Sequence, residues 1–251
     1  MITIIPLRTG TIYCDKGKTL TQGIDTGKMV YIPSISWLIK TPHEKILVDT
    51  GMPETETADS KHYPGSFQLP GERIDQALLI HGVKPEEITK VILTHLHWDH
   101  CQNGHYFPQA KFYVQKKELE FARNPEGNYF RSYDHPLLGL TPAFENYHLT
   151  IIDGDLAICK EVSVILLPGH SPGSQIVMVD ASQRYIIAGD AVLCYENLQS
   201  HSTTTFILPG RHKDTAETVA GIKKLLSLVN NDSQRIMPGH DEKVFRKKEY
   251  C

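Results

Sequence analysis

The sequence predicts a single domain of the α/β (α+β) class over residues 1–251. Segments with β-type patterning fall into two blocks along the chain, and each block ends in helical segments. No internal repeat, low-complexity tract or linker separates the two blocks. A chain of 251 residues can bury roughly 70–75% of its unfolded surface, so it needs no disulfide or metal merely to form a core.

The first block combines short strands, a long loop and an aromatic segment. We expect strands at 1–7, 29–40, 45–49, 90–94 and 111–114, and helices at 72–81 and 115–122. Residues 51–70 are rich in Pro, Gly, Thr and Ser without a sustained period, which predicts a long loop of the functional or mobile kind. Residues 124–147 are aromatic and irregular, and they are our candidate interface for a homodimer.

The second block consists of predicted strands and one long predicted helix, which comes before the last strand. We expect its strands at 149–152, 162–167, 175–180, 184–188 and 235–237. Residues 214–229 predict the helix, because Asp214 and Glu217 resemble a capping box at its start. The predicted apolar stripe of this helix consists of Val219, Ile222, Leu226 and Val229.

Composition and charge exclude several classes of protein. Lys and Arg number 26 against 29 Asp and Glu, a formal net charge of −3, which leaves no basic excess for binding nucleic acid. The five cysteines are scattered and odd in number, as expected for reduced intracellular thiols. The start of the chain lacks the features of a signal peptide, and the longest apolar runs are strand-length, too short to span a membrane. We therefore expect a cytoplasmic protein with neither nucleic acid nor membrane as partner.

Residues 94–100 read Thr-His-Leu-His-Trp-Asp-His and directly follow a predicted buried strand. A chain that leaves a strand into a turn can aim alternate side chains the same way. His95 and His97 could therefore share one ion, and Asp99 and His100 could face a neighbouring one. Four metal-competent groups in six residues add nothing to a core, so we interpret them as metal ligands.

Three further candidates end other β-type segments. His170, Asp190 and His240 each follow a glycine, which would let the backbone turn sharply and bring the next side chain to a shared centre. Together with the first four groups they amount to five histidines and two aspartates. Such a set suits two Zn²⁺ ions, or other divalent metals such as Fe, Mn or Co, with a carboxylate able to bridge them.

This order of residues resembles the ligand set of the metallo-β-lactamase superfamily. Within it, the chain is similar to the N-acyl homoserine lactonase (quorum-quenching lactonase) family over Asp49-Thr-Gly51, the 95–104 run, Pro168–Gly173, Gly189–Ala191 and Gly239–Asp241. The resemblance implies an αββα sandwich of two mixed sheets flanked by helices. It also implies one metal on His95, His97 and His170, a second on Asp99, His100 and His240, and a bridging Asp190.

The implied activity is hydrolysis of a small lactone or similar ester, by attack of a metal-bridging hydroxide on the carbonyl. Asp99, at the edge of the second site, is the candidate proton shuttle to the leaving oxygen. Asp49, at the end of a strand, is the candidate acceptor that fixes the tautomer of a ligating histidine.

The substrate pocket departs from the family. Lactonases of this type commonly place a tyrosine three residues after the bridging aspartate, where it contacts the substrate carbonyl. Here that position is Leu193, and the nearest tyrosine is Tyr195. The other candidates for an apolar pocket are Phe67, Tyr106, Phe107, Phe130 and Tyr133.

Other functions on the same scaffold remain open at this point. A glyoxalase II-type thioesterase would use the same ligands, although the stretch after His240 is short for its added helical region. A mononuclear iron persulfide dioxygenase would need only His95, a nitrogen like that of His97 and one carboxylate. A metal-binding protein without catalysis is the third alternative.

Overall fold

Two mixed β-sheets form the centre of the structure, a computed structural model that describes residues 1–201 and 205–251. The strands of the first sheet are β1 (Thr3–Asp15), β2 (Met29–Lys40), β3 (Lys45–Val48), β4 (Ile88–Ile92), β5 (Lys111–Gln115) and β6 (Leu149–Ile152). They lie in sequence order across the sheet. The pairings of β1 with β2 and of β2 with β3 are antiparallel, whereas the three pairings from β3 to β6 are parallel.

The second sheet is built from the later part of the chain. Its strands are β7 (Leu156–Ala157), β8 (Val162–Leu166), β9 (Gln175–Asp180), β10 (Arg184–Gly189) and β11 (Ile236–Pro238). Their spatial order is β11-β10-β9-β8-β7. Only the pairing of β10 with β11 is parallel among these described strands, and the short β7 was not predicted.

The helices connect and cover the sheets. They are α1 (Lys16–Thr19), α2 (Thr55–Thr57), α3 (Ile74–Ile80), α4 (Lys116–Arg123) and α5 (Thr215–Leu228), with one π-helical turn at Ala58–His62. Short 3₁₀ turns lie at Pro85–Glu87, Gly104–Tyr106, Gly127–Ser132, Pro136–Leu138, Ala143–Asn146, Tyr195–Leu198, Ser233–Arg235 and Glu242–Arg246.

Apolar clusters show that these elements form four layers. Leu78 of α3 packs with Leu47 of β3 on one face of the first sheet. Ile46, the residue before Leu47, faces the opposite way and packs with Val177 of the second sheet, because side chains alternate along a strand. Ile222 of α5 covers the outer face of the second sheet. The predicted αββα sandwich is therefore confirmed, while its description as a single domain stays a prediction.

Two parts of the first block differ from the sequence prediction. β1 extends over Thr3–Asp15 instead of ending at residue 7, because its pairing with β2 continues beyond a register shift at Gly10. Residues 51–70 are not a plain loop, since they contain α2 and the π-helical turn. The ring of His62 in this turn stacks on Trp98 at 4.3 Å, a tertiary contact that no local pattern reveals.

Helix α5 begins as predicted but is rotated relative to the predicted stripe. The Asp214 side chain accepts the backbone N–H of Glu217 at 2.8 Å, which confirms the N-cap. Ile222 and Val229 are buried, whereas Val219 and Leu226 are only partly buried. The rest of the buried face consists of Thr218, Gly221 and Leu225.

The parallel strands bring several strand ends to one edge of the sandwich. The segments that follow β3, β4, β8, β10 and β11 all carry predicted site residues at this edge. Within residues 1–201 and 205–251, no helix combines the length and the apolar character that crossing a bilayer requires.

Candidate metal centre

The histidine-rich turn begins directly after β4, and a buried carboxylate fixes its first residue. Asp49, which follows β3, has a φ of 60°, an uncommon conformation for a residue other than glycine. Its two carboxylate oxygens accept hydrogen bonds from the N–H and the hydroxyl of Thr94, both at 2.7 Å. The turn therefore leaves the sheet in a fixed direction, and all four of its predicted ligands are buried.

Three other turns bring His170, Asp190 and His240 to the same place. Gly169 has a φ of 137°, which side-chain-bearing residues rarely adopt, so the backbone before His170 requires glycine. A Cβ at Gly239 would lie 2.6 Å from Asp190 Oδ1. Only glycine allows these two chain segments to approach so closely, as the sequence predicted.

The seven predicted ligands come together as two groups. The first, which we call the His95 group, is His95, His97 and His170, with Asp190 beside it; the second, the His100 group, is Asp99, His100 and His240. Within each set the potential ligand atoms lie within 4.8 Å of one another. The two groups are those that the family resemblance implied.

The Asp190 carboxylate lies between the two groups. Its Oδ2 is 3.4 Å from Nε2 of His170 and 3.9 Å from Nε2 of His95. Its Oδ1 is 3.2 Å from Nε2 of His100 and 3.1 Å from Nε2 of His240. One oxygen thus faces each group, which is the arrangement that a carboxylate shared by two ions requires.

Hydrogen bonds from the far side orient four of the five histidine rings. In each of these rings Nδ1 has a partner outside the centre, so Nε2 is the nitrogen turned inward. The four partners are Thr94 Oγ1 for His95 at 3.1 Å, Asp49 Oδ2 for His100 at 2.9 Å, the Arg211 carbonyl for His170 at 2.9 Å and the Pro33 carbonyl for His240 at 2.8 Å. Such outer partners fix the tautomer of a metal-binding imidazole, and Asp49 occupies the position expected for this role.

The centre contains buried polar atoms without a hydrogen-bond partner. They are Nε2 of His95, His97 and His100 and Oδ1 of Asp190. Folded proteins seldom leave such atoms unpaired, because each costs about 1–3 kcal/mol. Imidazole nitrogens and a carboxylate are also the donors that zinc-class ions prefer. The residues present therefore fit a pair of divalent metal ions.

Burial and charge act differently on the two groups. Burial lowers the pKa of all three histidines of the His95 group, so they are held in the neutral form that binds metal. Burial would also lower the pKa of His100 and His240. The neighbouring carboxylates, Asp190 first among them, outweigh it and raise both pKa values.

A second buried carboxylate, that of Glu118, holds two of the turns that form the centre. Glu118 of α4 accepts the Leu96 N–H at 3.0 Å and the Tyr133 hydroxyl at 3.1 Å through Oε1. Its Oε2 accepts the Ser171 hydroxyl at 2.5 Å. Glu118 thereby ties the turn that carries His95 to the turn of Ser171, and nothing in its helical context predicted this role.

A cavity of about 370 Å³ opens over the two groups, a size suited to a small molecule. His97, Asp99, His170, Asp190 and His240 line it on the side of the centre. Among the described residues that line the cavity, Leu193 is the only member of the predicted substrate pocket. The other predicted pocket residues are not among those that line this cavity.

Two of those residues belong to the core instead. Phe107 is fully buried and Tyr133 is 1% exposed, and both pack in the cluster between the first sheet and its helices. The ring of Tyr133 lies behind that of His97, with 4.7 Å between centroids. These rings stabilise the fold beneath the centre, the commonest use of a large apolar side chain.

The other predicted pocket aromatics also have their contacts outside this cavity. Tyr195 begins a 3₁₀ turn, and its ring packs in the cluster between the two sheets. Phe67 contacts the ring of Tyr31. Tyr106 lies beside the Arg73 guanidinium. Phe130 is in a 3₁₀ turn whose neighbouring residues line the cavity, but its own ring does not.

The sequence did not predict several polar residues of the cavity. Lys61, Tyr63, Arg131 and Arg211 are among the residues that line it. The first two lie in the 51–70 segment, whose unusual length was the one signal of a functional role. No pattern marked the two arginines.

Comparison with known proteins gives consistent matches along the chain. Residues 32–240 match the metallo-beta-lactamase superfamily. The chain is 29% identical to N-acyl homoserine lactonase AiiA of Bacillus thuringiensis subsp. kurstaki over 233 residues, 89% of this chain and 87% of that protein. It is 27% identical to N-acyl homoserine lactonase AttM of Agrobacterium fabrum, with 96% and 93% of the two chains covered.

The structure is similar to a solved structure of the same kind. A mutant of B. thuringiensis AiiA with N-decanoyl-L-homoserine bound at the active site superposes with a TM-score of 0.80 and 24% identity. The match covers 97% of this chain and 95% of that one.

Replacing Glu118 by alanine should destabilise the protein. Glu118→Ala leaves three buried donors without an acceptor, so we expect a loss of about 3 kcal/mol or more in the free energy of unfolding, measured by urea denaturation. Glu120→Ala, on the exposed side of the same helix, is the matched control and should stay within about 0.5 kcal/mol. Equal losses in the two variants would contradict the supporting role of Glu118.

Proposed function

This chain belongs to the metallo-β-lactamase superfamily, and we propose that it is a dinuclear metal-dependent hydrolase that opens a lactone ring. The observation that carries the proposal is Asp190, which turns one oxygen toward each histidine group under a cavity of small-molecule size. Relatives named N-acyl homoserine lactonases favour a lactone over the thioester and persulfide alternatives. A cytoplasmic location and a homodimer stay predictions.

We assign one ion to the His95 group and one to the His100 group, with Asp190 shared. Zinc is the metal we propose, because nitrogen-rich sites with a few carboxylates are typical of it. Two bound ions would supply a water acidic enough to lose its proton near neutral pH, and would polarise the carbonyl of the substrate.

The reaction also requires a proton at the leaving oxygen. Hydrolysis joins the oxygen of one water to the carbonyl carbon and breaks the ring C–O bond, so the alkoxide must gain a proton. Asp99 and Asp190 are the two carboxylates among the described lining residues, and Asp190 is turned toward both groups. Asp99 is therefore the residue to which we assign the proton transfer. Its backbone is held by the Ser34 hydroxyl, which donates to the Asp99 carbonyl at 3.0 Å.

Tyr63 is the phenol that we assign to the substrate carbonyl. Its hydroxyl accepts a hydrogen bond from Arg211 Nη2 at 2.6 Å, which leaves its own proton available to a ligand. Burial raises the pKa of Tyr63, so the proton is present at neutral pH. Its ring packs against the cluster that contains Leu193, the position at which the resembling lactonases carry their substrate tyrosine.

Metal-dependent lactone hydrolysis is the first test. The zinc-loaded protein should hydrolyse N-hexanoyl-L-homoserine lactone, and the rate is measured from the protons that the reaction releases. His97→Ala should lose both metal and activity. His105→Ala is the matched control, because His105 is exposed and outside both groups. A His97→Ala variant that kept two metals and its full rate would refute the ligand assignment.

The shared position of Asp190 predicts how metal loss is distributed. Asp190→Ala should weaken both ions, because one carboxylate faces both groups, whereas His240→Ala should chiefly empty the His100 group. Metal titration of the two variants, read as ions per chain, distinguishes these patterns. Identical loss in both would exclude a bridging role.

Tyr63→Phe should lower kcat about tenfold to a hundredfold with a smaller change in KM, as expected for the loss of one donor to the transition state. Tyr195→Phe, which removes a phenol outside the cavity, should retain the wild-type rate. If Tyr195→Phe were the slow variant, the carbonyl donor would be Tyr195 and our assignment would be wrong.

A further inference from the structure

The cavity over the centre is lined by three basic side chains. Lys61, Arg131 and Arg211 line it, and the described lining residues include no carboxylate apart from Asp99 and Asp190 of the centre. We call these three side chains the cationic rim. It belongs to a chain whose formal net charge is −3, so the rim is a local feature and does not follow from overall composition.

The rim cations are unpaired, unlike most arginines of this chain. Arginines that form an ion pair with a carboxylate are Arg8, Arg73, Arg123, Arg184 and Arg235. Within residues 1–201 and 205–251, no carboxylate pairs with Arg131, Arg211 or Lys61. Outside the centre itself, no carboxylate is among the described residues that line the cavity, so an anionic group of a ligand would be attracted to these three cations.

The rim is built on segments fixed to the centre. The side chain of His62, next to Lys61, is fully buried and stacks on Trp98 with an interplanar angle of 6°. The Trp98 N–H donates to the carbonyl of Ser132 at 2.8 Å, which anchors the turn that carries Arg131. These contacts hold two rim cations beside the Trp98–Asp99 stretch.

The third cation is tied to the centre more directly. The Arg211 carbonyl accepts the ring N–H of His170 at 2.9 Å when Nδ1 is protonated, and its guanidinium donates to Tyr63. Donors of the guanidinium not used by Tyr63 remain available to a carboxylate or a similar planar anion.

Resting on the proposed lactonase function, we propose that the preferred substrate is a lactone whose acyl substituent carries a negative charge, which the cationic rim binds. Ile12, Ile32 and Leu193 also line the cavity and suit the methylene chain between ring and anion. A neutral acyl chain would leave the three cations without a counter-charge.

Two ring-opened ligands separate charge from size. N-hexanoyl-L-homoserine and N-(5-carboxypentanoyl)-L-homoserine have the same number of acyl carbons and differ in one terminal carboxylate. By calorimetry on the zinc-loaded protein, the second should bind about tenfold more tightly at low ionic strength. The preference should fall sharply at about 1 M salt, because exposed charges are screened there. Equal binding at low salt would overturn the proposal.

Substitutions in the cationic rim test whether these side chains cause the preference for the carboxylated ligand. Lys61→Gln and Arg131→Gln should each reduce it about threefold, because they weaken binding of the carboxylated ligand more than binding of the hexanoyl ligand. Lys117→Gln, on the exposed side of α4, makes the same change in net charge and should keep the full preference. A loss of equal size in Lys117→Gln would assign the effect to overall charge and reject the rim.

Failure of the lactonase proposal can be recognised separately. Turnover of the two corresponding lactones is measured on the same protein. Preferential binding of the carboxylated ligand without hydrolysis of either lactone would reject the activity and retain the anion site. Hydrolysis of both lactones with equal kcat/KM and equal ligand binding would retain the activity and reject the rim.

Discussion

A single buried carboxylate, that of Asp190, lies between two sets of buried imidazoles, and the arrangement of the surrounding chain depends on it. Asp190 Oδ1 and three histidine Nε2 atoms have no hydrogen-bond partner, so this part of the interior is stable only when cations or protons compensate its lone pairs. The turn before His240 must also pass close to the carboxylate, which restricts residue 239 to glycine. A layered fold with parallel strands satisfies these demands because it brings several strand ends to one edge.

The centre is oriented by groups that do not face it. Asp49 connects the end of β3 to the first residue of the histidine-rich turn and to the ring of His100. Glu118 connects the same turn to the Ser171 turn from a helix in the outer layer. Burial raises the pKa of both carboxyls, and the hydrogen bonds that they accept oppose this desolvation. Glu118 therefore links a helix of the outer layer to turns that follow strands of both sheets, whereas Asp49 links two neighbouring segments of the first sheet.

The sequence predicted which side chains come together at the centre, because they form local patterns. His95 and His97 lie two residues apart at the end of a buried strand, and each of the isolated candidates follows a glycine. The spacing of the histidines and the preceding glycines are therefore enough to identify these residues in the sequence. The residues that line the cavity form no such local pattern. Aromatic residues such as Phe107 suit a core as well as a pocket, and only tertiary packing decides between them. The rotation of α5 arose in the same way, since several of its faces contain apolar residues.

The net charge of the whole chain bears on the binding of large polyanions, whereas the charges that line one cavity bear on the binding of a small ligand. A net charge of −3 argues against a polyanionic partner, because an extended phosphate backbone interacts with charges spread over a large area of the protein surface. A small ligand meets only the groups that line its site, within about one Debye length of 8–10 Å. Apart from the centre itself, the charged groups among the described residues that line this cavity are Lys61, Arg131 and Arg211, and all three are positive. An acidic protein can therefore offer an anion a favourable site, and composition alone would never have indicated it.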